Sequence, residues 1–159
     1  MRTTARTGGD AVPGWSPRPL PSRPSTRGVL ELLEAAQRGL TEAVLALRPP
    51  ERYAIAHLAA LRAAAAVLAA RAHPTRRTRP RGPRSAWVLL AEVSPELGEW
   101  AAFFAAGAGK RAAAEAGLDV VTAREADDLL RDVETFVALV EDTLGLPHQT
   151  TFALTGRAG

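Results

Sequence analysis

The chain has 159 residues, with 33 alanines, 19 arginines, one lysine (Lys110) and no cysteine. Its length suits one domain with a core of its own. The missing cysteines exclude thiol catalysis, Cys-ligated zinc and a disulfide framework, and they point to a reducing, cytoplasmic setting. The formal charge is +3 and the pI about 10.5, but the charge is unevenly placed. Residues 1–27 carry five arginines against Asp10, and residues 71–84 carry six arginines and no acid. Residues 28–70 balance four arginines with four glutamates, and residues 85–159 set five basic groups against twelve acidic ones. A basic pI that would suggest nucleic acid therefore describes two Pro/Arg-rich segments attached to an acidic body. So strong an excess of Arg over Lys beside so much Ala reads as codon bias of a GC-rich genome, so Arg by itself does not signal bidentate contacts.

Residues 1–24 hold five prolines among Thr, Ser, Gly and Arg with no apolar run, so residues 1–27 read as a disordered tail rather than a secretory signal. The first helix is predicted from a cap at Ser25 or Thr26 to about Leu47, with Leu33, Ala36, Leu40, Val44 and Leu47 on one stripe. Pro49-Pro50 separates it from a second, Ala-rich helix over about 51–72, which Pro50 opens as a first-turn proline. Residues 54–70 come closest to a membrane span, but they are mostly Ala and Arg62 interrupts them, so no membrane segment is expected. The Arg-Pro run 73–84 reads as a long basic loop. Ser85 caps a short helix over 86–93. Ser94-Pro95-Glu96 starts a helix to about Ala116, carrying Leu97, Trp100, Phe103, Phe104 and Gly107 on one side, with the aromatics assigned to the core. Thr122 and Glu125 form a capping box, and Ala126, Leu129, Leu130, Val133, Val137, Val140 and Leu144 stripe the last helix. Residues 146–159 read as a frayed tail. The expected fold is all-α, a bundle of four long helices and one short one over residues 28–145.

Three groups of residues could carry chemistry. Arg52 and His57 have an Arg-x4-His spacing, suited to a metal-free ribonuclease in which His moves a proton and Arg stabilises phosphate charge. Positions five apart lie about 140° apart around a helix. His57 accordingly shares a face with Tyr53, Leu61, Ala64 and Leu68, while Arg52 points away with Ala59 and Ala63. The plainer reading is a hydrogen-bonded core or interface His57 with a solvated Arg52. The run Arg76, Arg77, Arg79, Arg81 and Arg84 could hold phosphates electrostatically, but without interleaved aromatics it would not read bases. The alternative is a solvated linker, or an arm paired with the acidic half. Asp128 and Asp132 share a helix face, yet nothing is spaced to complete a metal site, so a solvated acidic face is expected. No metal and no cofactor is called for. A Gly-rich phosphate loop, a nucleophile elbow and a His-Glu-x-x-His helix are all absent from the sequence.

The strings from Glu51 to Arg71, Arg84 to Leu90, Glu99 to Gly107 and Arg124 to Arg131, in that order, resemble the actinobacterial HEPN-domain family named after a Streptomyces avermitilis locus. The resemblance spans residues 28–145. It implies an up-and-down helical bundle, often a homodimer. Many HEPN proteins are metal-independent ribonucleases with an Arg-x4-6-His motif near the start of the last helix. Others are inactive binding domains, or partners of nucleotidyltransferase-type antitoxins. Here Arg111 matches the position of the motif's Arg, but no His follows it at an allowed spacing. Two functions are therefore expected to compete. One is a non-catalytic dimerisation or interaction module with basic arms; the other is a ribonuclease using His57 with Arg52 or Arg111.

Overall fold

The computed structural model describes residues 26–71 and 84–147. The tails, and Arg76, Arg77, Arg79 and Arg81 of the basic run, lie outside the described residues. Five α-helices are present: α1 (Thr26–Leu45), α2 (Pro49–Arg71), α3 (Ala86–Val93), α4 (Gly98–Glu115) and α5 (Ala123–Thr143), with a 3-10 turn over Pro95–Leu97 leading into α4. Four helices are long and one is short, and no strand occurs among the described residues. The fold is an all-α bundle.

The alanines explain the architecture. Ala56, Ala59, Ala60, Ala63, Ala64 and Ala66 of α2 are fully buried, because α2 packs against every other helix. Small side chains let backbones approach closely, and α1 meets α2 where a Cβ on Gly39 would sit 3.1 Å from that of Ala59. By length and composition α2 could cross a bilayer, and its apolar character is accounted for by this central position. Larger side chains fill the wider space between α3, α4 and α5. Trp87, Trp100, Phe104 and Phe136 stack and tilt there at centroid distances of 5.0–6.5 Å.

Local signals fix the helix ends. Ser85 accepts the Val88 amide at 3.3 Å. Thr122 and Glu125 exchange capping bonds at the start of α5. Gly117 and Gly145 take the left-handed conformation (φ 83° and 68°). After each, the next amide donates back to the carbonyl five residues earlier, Leu118 to Ala113 and Leu146 to Glu141, which is the Schellman termination that favours glycine.

Several sequence expectations change in three dimensions. Val44 and Leu47, placed on the α1 stripe, are exposed, and Ala43 is buried instead; a strict step of three or four drifts around a straight helix, and α1 ends at Leu45. Ser94 does not cap with its side chain. It is buried, and its hydroxyl accepts from Arg71 at 2.6 Å. Phe103 faces outward and is 46% exposed. Phe136, absent from the expected stripe, is fully buried among the aromatics.

Candidate functional site

Position 57 of α2 turns toward α3 and α4, so His57 enters the aromatic cluster. Its ring stands edge-on to Trp87 and Phe104 at 5.7 and 5.8 Å. Only 1% of the residue is exposed. Nε2 lies 2.9 Å from the Phe104 carbonyl oxygen. A carbonyl only accepts, so Nε2 carries the proton and donates, leaving Nδ1 as the lone-pair nitrogen of the neutral ring. That nitrogen is buried without a hydrogen-bond partner. Burial pushes the imidazole pKa below its ordinary 6.5, and the nearby Arg111 charge acts in the same direction against the Phe104 hydrogen bond.

Arg52 is not solvated, as the plainer sequence reading had it. Its side chain is 22% exposed and pairs with Asp127 at the start of α5, while Nη2 donates to the Ala46 carbonyl at 2.8 Å. The physical reason is the centrality of α2: the face opposite His57 is a second buried interface, where Ala59 and Ala63 are also enclosed. Arg52 thus ties the first turn of α2 to the end of α1 and the start of α5. The fold does not bring Arg52 to His57. It brings Arg111 toward His57 across the α2–α4 contact, close enough for its charge to act on the imidazole. Arg111 itself donates to Glu115 at 2.7 Å, and its Nε is buried without a partner. Arg84, the described member of the basic run, pairs with Glu92 of α3.

A groove opens beside His57. The backbones of α4 and α5 both lean on α2 and barely approach each other. Trp100 and Phe104 reach across to Phe136, and Lys110 reaches across to Glu125 at 2.5 Å. Between these bridges lies a groove of about 260 Å³, floored by Tyr53 and His57 and walled by Phe103, Gly107, Lys110 and Leu129. A Cβ on Gly107 would sit 3.0 Å from the Tyr53 hydroxyl and 3.5 Å from the His57 ring, so the glycine lets α4 pack closely against both. Glu125 accepts from Lys110, from the Thr122 amide and from the Thr122 hydroxyl. Those donors hold its carboxyl at about 2, Lys110 contributing most; the same pairing raises the Lys110 pKa. Burial raises that of Tyr53. Sequence reasoning missed this grouping, although one signal existed: a lone lysine in a chain that otherwise uses arginine.

No group of three or more metal-ligating side chains occurs among the described residues. Asp128 pairs with Arg124 and Arg131. Asp132 has its pKa raised by burial and by Asp128.

A second surface forms where α1 ends, α2 begins, α4 ends and α5 begins. Val44, Leu45, Leu47, Leu118 and Val120 all lie at this end. They are five of the eight large apolar residues that are exposed among the described residues. Leu47 is 91% exposed and Leu45 73%. A polar depression of about 500 Å³ adjoins them, lined in part by Glu42, Arg48, Glu51 and Glu115.

No curated protein and no solved structure gives a match to the chain. A family match covers residues 42–141, from the last turn of α1 to the end of α5. With that match over most of its length and an all-α bundle to carry it, the chain belongs to the SAV_6107-like HEPN family.

Proposed function

We propose that this HEPN domain is a non-catalytic interaction module that pairs with a second copy of itself through the apolar end of the bundle. The observation that carries the non-catalytic half is the state of His57. A general base must bring its lone pair within hydrogen-bond reach of the proton it takes. The His57 lone pair is buried, and its other nitrogen is committed to the Phe104 carbonyl. The pairing half rests on the exposed leucines at 45, 47 and 118 with charged neighbours around them, the pattern of an apolar interface core inside a polar rim. A two-fold pair would use the same patch on both copies. The basic segments 1–27 and 73–84 supply electrostatic contact with acidic partners, and the module works in the cytoplasm. An antitoxin of the nucleotidyltransferase type is a partner suggested by family analogy alone.

Sedimentation velocity on the full chain tests the pairing. The wild type is expected to be a dimer at about 50 µM, a concentration at which even a micromolar interface is mostly filled. Leu47→Asp combined with Leu118→Asp is expected to be a folded monomer. A wild-type monomer at that concentration, or a double variant that stays dimeric, would contradict the proposal.

The second reading, a metal-independent ribonuclease, is favoured by one arrangement. Arg111 acts on His57, and the groove reaches the His57 ring edge. Catalysis would require the imidazole to leave the Phe104 carbonyl and expose its lone pair.

A further inference from the structure

The end of the bundle that exposes Leu45, Leu47 and Leu118 is not electrically neutral. Glu42, Arg48, Glu51 and Asp119 are exposed there as well, each within four residues of one of those leucines along the chain. None of the four forms an ion pair among the described residues. The neighbouring charges are already spent inside one copy: Arg52 on Asp127, Lys110 on Glu125, Arg111 on Glu115 and Arg124 on Asp128. Three free carboxylates against one guanidinium leave this end with two negative charges in excess. The helix ends that lead into the Arg-rich segments are far from this balance. Thr26 starts α1 one helix length away, about 30 Å for 20 residues, and Arg71 closes α2 about 34 Å away for 23 residues. The +3 of the whole sequence therefore has the opposite sign to the charge around the leucines.

We propose that pairing of two copies through this end is controlled by ionic strength: the leucines drive it, Glu42, Glu51 and Asp119 restrain it, and salt tightens it. The inference rests on the pairing proposed above and adds its regulation. A two-fold axis sets the patch against its own copy, so an excess of negative charge on one side meets the same excess on the other. Magnitudes decide what that opposition does. Two charges on each side, about 10 Å apart in a water-rich rim, repel too weakly to prevent the apolar contact but strongly enough to shift its equilibrium severalfold. The carboxylates are exposed, so salt screens them. The Debye length falls from about 20 Å at about 0.02 M to about 4 Å at about 0.5 M. An interface closed instead by ion pairs, with Arg48 of each copy reaching a carboxylate of the other, would respond in the opposite sense and loosen as salt rises.

Sedimentation equilibrium of the full chain in sodium chloride tests the proposal. Between about 0.02 M and about 0.5 M salt the dimer dissociation constant is expected to fall about fivefold. The triple variant Glu42→Gln, Glu51→Gln, Asp119→Asn changes exposed side chains only, so it should fold, with circular dichroism as the check. At low salt it should pair more tightly than the wild type by a similar factor, and it should lose most of the salt response. That variant also separates screening from any general strengthening of apolar contact by salt. Arg48→Gln removes the one opposing charge, so it should pair more weakly than the wild type at low salt and approach it at high salt. A wild-type dissociation constant that rises with salt or stays level would overturn the proposal while leaving the pairing in place. So would a folded triple variant with the wild-type salt response, or tighter pairing by Arg48→Gln at low salt. A wild type that is monomeric at every ionic strength would overturn both the pairing and its control.

Discussion

A neutral imidazole held inside an aromatic cluster makes the bundle sensitive to acid. The folded pKa of His57 lies below the unfolded value of 6.5, so above pH 6.5 both states are neutral and the group costs nothing. As pH falls through 6.5 the unfolded chain takes up a proton that the folded chain resists, and stability drops until the folded pKa is reached. The slope is at most about 1.4 kcal/mol per pH unit. Urea unfolding at pH 7.5, 6.5 and 5.5 should show this loss in the wild type. His57→Gln should be less stable throughout but should lack that slope, and parallel profiles for the two proteins would count against a buried neutral His57. Phe136, closed in by Trp87, Trp100 and Phe104, should cost about 3–5 kcal/mol on replacement by alanine. At this scale the sequence was only partly legible. His57 could be placed on a core-facing side of α2 from periodicity. The partner of Arg52, the outward turn of Phe103 and the burial of Phe136 depend on which helices lie alongside, and spacing within one helix does not contain that.

At the scale of the element, boundaries were legible because their causes are local. Prolines 49 and 50, the Ser85 cap, the Thr122–Glu125 box and the two glycines after α4 and α5 act within a few residues of themselves, and each ends or starts a helix in the structure. Thr122→Ala removes the acceptor for the Glu125 amide and one donor to its carboxylate, the hydroxyl. The backbone donor at 122 remains, so the loss should be about 1 kcal/mol, measured as a lower urea midpoint with the denaturant slope unchanged. A change in that slope would mean that α5 docks differently. The faces of α2 were harder to read. A helix surrounded by four others has no polar side to give it a period, and its alanines suit every neighbour equally well. The same centrality turned an expected solvated Arg52 into a tie between three helix ends.

For the whole molecule, dividing the charge was more informative than summing it. Among the described residues the cations are largely paired: Arg27 with Glu31, Arg71 with Glu96, Arg84 with Glu92, Lys110 with Glu125 and Arg111 with Glu115. The bundle therefore offers nucleic acid little free positive charge, and the net positive charge of the sequence is carried by the Pro/Arg-rich segments. Deleting residues 1–25 and changing Arg76, Arg77, Arg79 and Arg81 to serine should leave the urea midpoint of the bundle unchanged. It should also abolish any salt-dependent retention on a polyanionic column; retention that survived would have to come from the helices.

The family assignment leaves one chemical question, whether His57 ever works as a base. Incubation of the full chain with single-stranded RNA in chelator answers it most directly, with His57→Gln alongside. The structure leads to the same background cleavage for both proteins, because the lone pair of His57 is enclosed and its proton is spent on the Phe104 carbonyl. Metal-independent cleavage by the wild type that disappears in a folded His57→Gln variant would contradict the account.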